Sequence, residues 1–216
     1  MIKVLAVHGS PRIGGNSDLL LSAFIEGASS KGASVEKISL YQLKFSPCIE
    51  CGGCDETGEC VLNDDLTPIY EKLLSSEVIV CATPIFFYSH PAMLQAFFER
   101  FQALWCRKYR LNEPHPFGKT PKGLLLGVGA TKGKKIFEGL VRSFKYVMDA
   151  CWGVYVGGLF FRGVDDKGAI LKFPEHLEKV RELGVAVATL PKRNGQWIEA
   201  QAHKFYIFPY FLNNSV

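Results

Sequence analysis

Four cysteines stand within thirteen residues, Cys48, Cys51, Cys54 and Cys60 in CIECGGCDETGEC, with the spacing C-x2-C-x2-C-x5-C. Thiolates so close can converge on one inorganic centre, and the intervening glycines let the chain wrap tightly. A [4Fe–4S] cluster takes four such ligands. Zinc also takes four cysteines, although its sites more often use two separated pairs. A loop of free thiols lining a cofactor pocket is the third reading. Cys81, Cys106 and Cys151 stand in strand and helix contexts and read as buried small hydrophobes.

A second constellation lies in residues 2–18, IKVLAVHGSPRIGGNSD. An apolar run stops at Gly9, and a loop of Ser, Gly, Arg and Asn then feeds an amphipathic helix beginning near Ser17. Loop amides and the first N–H groups of a helix attract a phosphate monoester, and the helix dipole favours its charge. Ser10, Asn16 and Ser17 add side-chain donors, and Arg12 adds a positive charge. No G-x-G-x-x-G opens the helix and no Gly-Lys-Ser/Thr follows, so neither dinucleotide nor P-loop chemistry is indicated. The plainer alternative is an ordinary strand–helix turn with an N-cap serine. The crowding of Ser, Arg, Asn and Ser favours anion binding.

A third segment, TPIFFYSHP at 83–91, brings Phe86, Phe87 and Tyr88 to the end of a strand. A flat tricyclic ring needs apolar surface on its faces and main-chain donors at its edge, and this loop offers both; a hydrophobic turn closing the core is the simpler reading. Gly129, Ala130, Thr131, Lys132 and Gly133 form a flexible loop expected at the same edge. His90, before a helix-opening proline, reads as structural.

The elements that must position these loops alternate along the chain. Strands are expected at 2–8, 34–40, 77–82, 122–129 and 154–161, and helices at 17–31, 64–75, 91–106, 134–150 and 174–189. The strands are mostly continuous apolar runs, as in a sheet covered on both faces. Five such units with right-handed crossovers define an α/β fold, a three-layer doubly wound five-stranded parallel sheet of flavodoxin-like order 2-1-3-4-5. Ligands bind such sheets at the C-terminal strand ends, and FMN is the characteristic ligand of this order. The domain is expected to span 1–190, with a cysteine-rich insertion at 41–63 and a Pro-containing connection at 106–120. A tail at 191–216 carries Trp197, Phe205, Tyr206, Phe208, Tyr210 and Phe211, and needs cover from its own domain or a neighbouring subunit.

Composition bounds the function classes. The 216 residues are 48% apolar and 21% charged, as in a soluble globular protein. A net charge of +4, evenly spread, gives no nucleic-acid footprint. No segment offers the ~18 apolar residues of a membrane span. A strand starting at residue 2 leaves no room for a signal peptide, so a cytoplasmic location is expected, where structural disulfides are disfavoured.

The chain resembles the NADPH-dependent FMN reductase superfamily, and within it the iron–sulfur flavoprotein branch, from residue 2 to about residue 189. GSPRIGGNS at 9–17 is similar to the family's FMN-phosphate loop, TPIFFYSHPAMLQAFFER at 83–100 to its isoalloxazine loop and following helix, and the cysteines to its compact cluster motif. The resemblance implies that Ser10, Arg12, Asn16 and Ser17 hold the phosphate. Pro84, Ile85, Phe86, Phe87 and Tyr88 would border the flavin, with Gly129 and Thr131 nearby, and Cys48, Cys51, Cys54 and Cys60 would bind a [4Fe–4S] cluster. It further implies electrons from NAD(P)H or a ferredoxin-like donor, a small-molecule acceptor and a homodimer or homotetramer. The flavin itself would carry the redox chemistry, with no catalytic side chain. A flavodoxin-like carrier without turnover and a metal-free reductase with a thiol loop are the alternatives. The Phe87–Tyr88 pair and the aromatic tail depart from the family pattern.

Overall fold

The computed structural model describes residues 1–189 and the backbone of two short strands at 192–193 and 196–197. The aromatic tail expected to pack on the domain or a partner lies, in its side chains, outside the described residues. Elements run β1 (Lys3–His8), α1 (Asn16–Ser30), β2 (Ser34–Ser39), α2 (Cys54–Thr57), α3 (Thr67–Ser75), β3 (Val78–Pro84), α4 (Ala92–Glu99), α5 (Gln102–Trp105), β4 (Lys122–Gly129), α6 (Glu138–Ala150), β5 (Val154–Arg162), α7 (Pro174–Thr189), β6 (Lys192–Arg193) and β7 (Gln196–Trp197). The first five strands form one parallel sheet in the order β2-β1-β3-β4-β5, as expected.

Alternation along each strand divides the core in two. Leu5, Val7, Ile79, Cys81 and Leu125 face α3, α4, α5 and α6. Val4, Ala6, Val80, Leu124 and Leu126 face α1 and α7. Burial of both faces explains the continuous apolar runs, whereas edge strand β2 is largely exposed. On the second face α1 and α7 meet backbone to backbone. A Cβ on Gly27 would lie 2.0 Å from the Arg181 carbonyl oxygen, and one on Gly184 would lie 2.2 Å from that of Phe24. Only glycine permits that approach, and it fixes the pose of α1.

Three helices depart furthest from the sequence expectation, and the other boundaries fall within two residues of it. The helix at 64–75 begins at Thr67, because Asp64 spends its carboxylate on the Leu66 N–H (3.0 Å) and on Arg100. The helix expected at 91–106 runs as α4 and α5 and then a π-helical turn, Cys106–Arg110, with Pro91 as the N-cap of α4. The helix expected from 134 starts at Glu138.

Parallel strands all end at one edge, so the loops after β1, β3 and β4 share it. The cysteine-rich segment leaves β2 at this edge but does not stay there. Cys54 rests against Cys106, whose Sγ is 3.6 Å away. From Ala92 to Cys106 the chain is a nearly continuous helical run, roughly 20 Å at 1.5 Å per residue.

Candidate flavin and metal site

The loop after β1 is shaped by its own polar groups. Ser10 Oγ accepts from the Arg12 N–H at 3.1 Å, Gly15 N–H donates to the Arg12 carbonyl at 3.0 Å, and Gly14 N–H donates to Asp18 Oδ2 at 2.8 Å. Gly14 takes φ 67° and makes the turn. Gly15 is the N-cap of α1 and no side chain caps that helix, so the N-cap serine of the plainer alternative is absent. The leading N–H groups are left open to a ligand in a setting where Ser10, Asn16 and Ser17 are buried. Such an end suits a phosphate better than a closed turn does. The Arg12 side chain is exposed beside it.

Asn16 departs from its expected role. Its Nδ2 donates to the Asp166 carbonyl at 2.9 Å, and its Oδ1 accepts from the Ile170 N–H at 3.1 Å. The amide thus fastens the loop after β5 to the start of α1, leaving only its backbone N–H to face an anion.

Asp18 would repel a phosphate were its charge not met. Lys37 Nζ lies 2.5 Å from Oδ1. Burial alone would raise the Asp18 pKa, but Lys37 and the Gly14 N–H hold the carboxyl below its usual range. The neighbouring His8 is 1% exposed and has its pKa lowered, chiefly by burial. Its Nδ1 contacts Ser39 Oγ at 3.1 Å, while Nε2 is unpaired and 4.0 Å from Asp18 Oδ1. These residues, with Ile13 and Gln42, line a cavity of about 220 Å³ on the β2 side of the loop.

The loop after β3 is a tight turn closed by Phe86 N–H to Ser89 O (3.0 Å) and Ser89 N–H to Phe86 O (2.9 Å). Phe87 and Tyr88 occupy left-handed backbone, φ 48° and 62°, a strained choice for aromatic residues. Phe86, Phe87 and Tyr88 are all exposed, Phe87 completely. Ile85 donates its N–H to the Val128 carbonyl at 2.9 Å, which joins this loop to the end of β4. A Cβ on Gly133 would lie 2.6 Å from the Tyr88 hydroxyl, and one on Gly129 would lie 2.7 Å from Ile136 Cδ1, so the two glycines pack closely against these side-chain ends. Pro84 is half-buried and Thr131 exposed beside them. His90 is structural: Nε2 meets Gln95 Oε1 at 2.7 Å and its ring lies 4.9 Å from Phe98.

The cysteine segment is held by a residue that spacing did not reveal. Arg100 is 2% exposed, and its guanidinium donates to Ser46 O (3.0 Å), Leu62 O (3.2 Å) and Asp64 Oδ2 (2.6 Å). It clasps both ends of the segment at once. Burial would raise the Asp64 pKa, but Arg100 and the Leu66 and Ser46 N–H groups pull it below the ordinary range. A charge inside the aromatic run FFERF was the available signal, since arginine is rarely buried without a partner.

Cys51 is exposed, and Cys48, Cys54 and Cys60 are partly so. Among the described residues no three of these four sulfurs lie within 4.8 Å of one another. One tetrahedral ion with bonds of ~2.3 Å holds its sulfurs about 3.8 Å apart, so the four are not spaced for a single zinc. A cluster that gives each thiolate its own iron takes wider spacing. Cys81, Cys106 and Cys151 are buried as expected, but Cys106 is no simple hydrophobe, because it contacts Cys54 and Asp55.

The five-stranded parallel sheet, with an uncapped helix end and an exposed aromatic turn at its C-terminal edge, defines a flavodoxin-like α/β protein. The chain belongs to the NADPH-dependent FMN reductase family, whose model matches residues 2–152. It is 30% identical over 131 residues to an iron–sulfur flavoprotein of Methanosarcina thermophila, covering 61% of this chain and 65% of that protein. An iron–sulfur flavoprotein of Methanocaldococcus jannaschii is 33% identical over 48% of this chain and 53% of its own length. One from Archaeoglobus fulgidus is 26% identical over 87% of this chain and 79% of that protein. The chain spans less than two thirds of the length of the first two of these relatives. Among solved structures, an NAD(P)H:quinone oxidoreductase from Methanothermobacter marburgensis superposes with TM-score 0.63 at 19% identity, over 86% of this chain and 98% of that one. An archaeal flavodoxin gives 0.52 at 15% identity, over 87% and 96%. These likenesses bear on the fold. Among the described residues, no helix is long and apolar enough to cross a membrane.

Proposed function

We propose that this protein is an FMN-dependent oxidoreductase that takes electrons from NAD(P)H or a ferredoxin-like donor and passes them to a small acceptor such as a quinone. The observation that carries the reading is the N-terminus of α1, which no side chain caps, at the same sheet edge as the strained aromatic turn 86–89. Bound FMN supplies the redox chemistry and needs no protein base to begin it. The chain's part is to bind, orient and shield. N–H groups at the start of α1, with Ser10, Ser17 and Arg12, take the phosphate. Pro84, Ile85 and the turn Phe86–Tyr88 border the ring, with Gly129 and Thr131 at the neighbouring loop. Exposed Phe87 and Tyr88 leave surface that the ring and a second copy of the chain would cover, in keeping with a homodimer or homotetramer.

Cys48, Cys51, Cys54 and Cys60 would hold a [4Fe–4S] cluster, for which the C-x2-C-x2-C-x5-C spacing is the support. The charge pattern fits neither nucleic acid nor a membrane surface, and the location read is cytoplasmic. The test is anaerobic purification with flavin, iron and sulfide analysis, followed by NAD(P)H consumption with an added quinone. One FMN per chain with quinone-dependent turnover is expected. A chain that neither retains FMN nor takes it up when stripped would overturn the reading, and flavin binding without turnover would identify a carrier.

A further inference from the structure

We propose that Cys54, Asp55 and Cys106 form a binding site for a single divalent cation of the zinc class. It takes Cys54 from the proposed cluster, so it is filled only where that cluster is absent, and it rests on the geometry of these three residues rather than on that reading. Cys54 Sγ and Cys106 Sγ lie 3.6 Å apart, and Cys106 Sγ lies 3.2 Å from Asp55 Oδ1. The three ligand atoms all fall within 4.8 Å of one another. Two thiolates bound at ~2.3 Å to one tetrahedral ion stand about 3.8 Å apart, so this pair is already set for it, unlike the four motif sulfurs.

The surroundings are those of a supported site. Asp55 Oδ2 receives Arg110 Nη1 at 2.6 Å, which fixes the carboxylate and leaves Oδ1 turned to the thiols. Gln102 Nε2 approaches Cys106 Sγ at 3.6 Å. Such outer contacts orient ligands and are normally worth 10–100-fold in affinity (roughly). Cys106 opens the π-helical turn Cys106–Arg110, a local irregularity that sets Cys106 and Arg110 against the two sides of Asp55. Cys106 is buried and Cys54 only partly so, which leaves a path from solvent. Two thiolates and a carboxylate suit a borderline cation, and three protein ligands leave the fourth position to water. Because Cys54 serves both sets, a mononuclear ion here and a cluster on the four motif cysteines exclude each other.

The experiment uses full-length protein, reduced and stripped of metal under anaerobic conditions, then titrated with Co²⁺ and competed with Zn²⁺. One equivalent of cobalt with sulfur-to-cobalt charge-transfer absorption is expected, in the wild type and in the double variant Cys48→Ser/Cys51→Ser. Cys106→Ala should bind at least about tenfold more weakly. Asp55→Asn, which leaves the buried thiol in place, should weaken binding by a similar factor. Unchanged affinity in Asp55→Asn and Cys106→Ala, or loss of the tight site in Cys48→Ser/Cys51→Ser, would overturn the proposal. Iron and sulfide uptake separates the two readings: Cys48→Ser/Cys51→Ser should lose it. If that variant keeps it, the four-cysteine cluster fails while the cobalt result stands.

Discussion

Arg100 Nη1 stands 2.6 Å from Asp64 Oδ2, with the arginine side chain 1% exposed, and so ties the helix after the aromatic turn to the far end of the cysteine segment. Removing one member strands the other charge in low dielectric, which costs about 3–5 kcal/mol. Asp64→Asn should therefore lower the thermal midpoint by more than about 6 °C and loosen any metal on the segment. Paired replacement, Arg100→Met with Asp64→Leu, should recover part of that loss. Thermal denaturation of the two variants is the check, and an Asp64→Asn protein as stable as wild type would show the clasp to be idle.

Acid sensitivity follows from the buried imidazoles. Burial is the main cause of the lowered pKa of His8, His90 and His115. Each is neutral when folded and takes up its proton more readily when unfolded. Their contribution is complete above the unfolded value of ~6.5 and is lost as pH falls towards the folded pKa values. Stability should thus decline on acidification below about pH 6.5, by up to about 1.4 kcal/mol per pH unit for each histidine. Denaturant unfolding from pH 7.5 to 5.5 should show a shallower slope for His8→Asn. An identical slope would remove His8 from the account.

Arg12 and Asn16 should separate cleanly. Arg12→Ala touches only exposed charge and should weaken FMN binding by about tenfold or more, the scale of one charge-assisted hydrogen bond, with little change in stability. Asn16→Ala leaves the buried Ile170 N–H without its acceptor, so it should cost about 1–3 kcal/mol of stability. Flavin titration of the apoprotein beside thermal melts distinguishes them. A stable Asn16→Ala protein with lost FMN binding would reverse the assignment.

Strain at the aromatic turn predicts opposite changes in stability and binding. Phe87→Gly relieves a left-handed φ of 48° and should stabilise the chain by about 1 kcal/mol. It also removes ring-facing surface and should weaken FMN binding or slow turnover. If Phe87→Gly gains stability without losing affinity or rate, the turn does not serve the flavin.

Much of the architecture was legible because it is written in local periodicity. Apolar runs with β-α alternation led to the observed strand order, and 122–129 and 174–189 match at both ends. The Gly-Ser-Pro-Arg loop was legible as the link between β1 and α1 because small and polar residues end the apolar run there.

Residue type and spacing alone determined the parallel sheet, the polar loop between β1 and α1 and the compact thiol motif, since each depends on neighbours a few positions apart. Only the tertiary structure decided that the Asn16 amide binds the 165–170 loop, that Arg100 holds the cysteine segment and that Cys106 meets Cys54. Those contacts join residues 149–154, 36–54 and 52 positions apart respectively. Their chemistry arises from how helices and loops lie against one another, which no short-range pattern encodes.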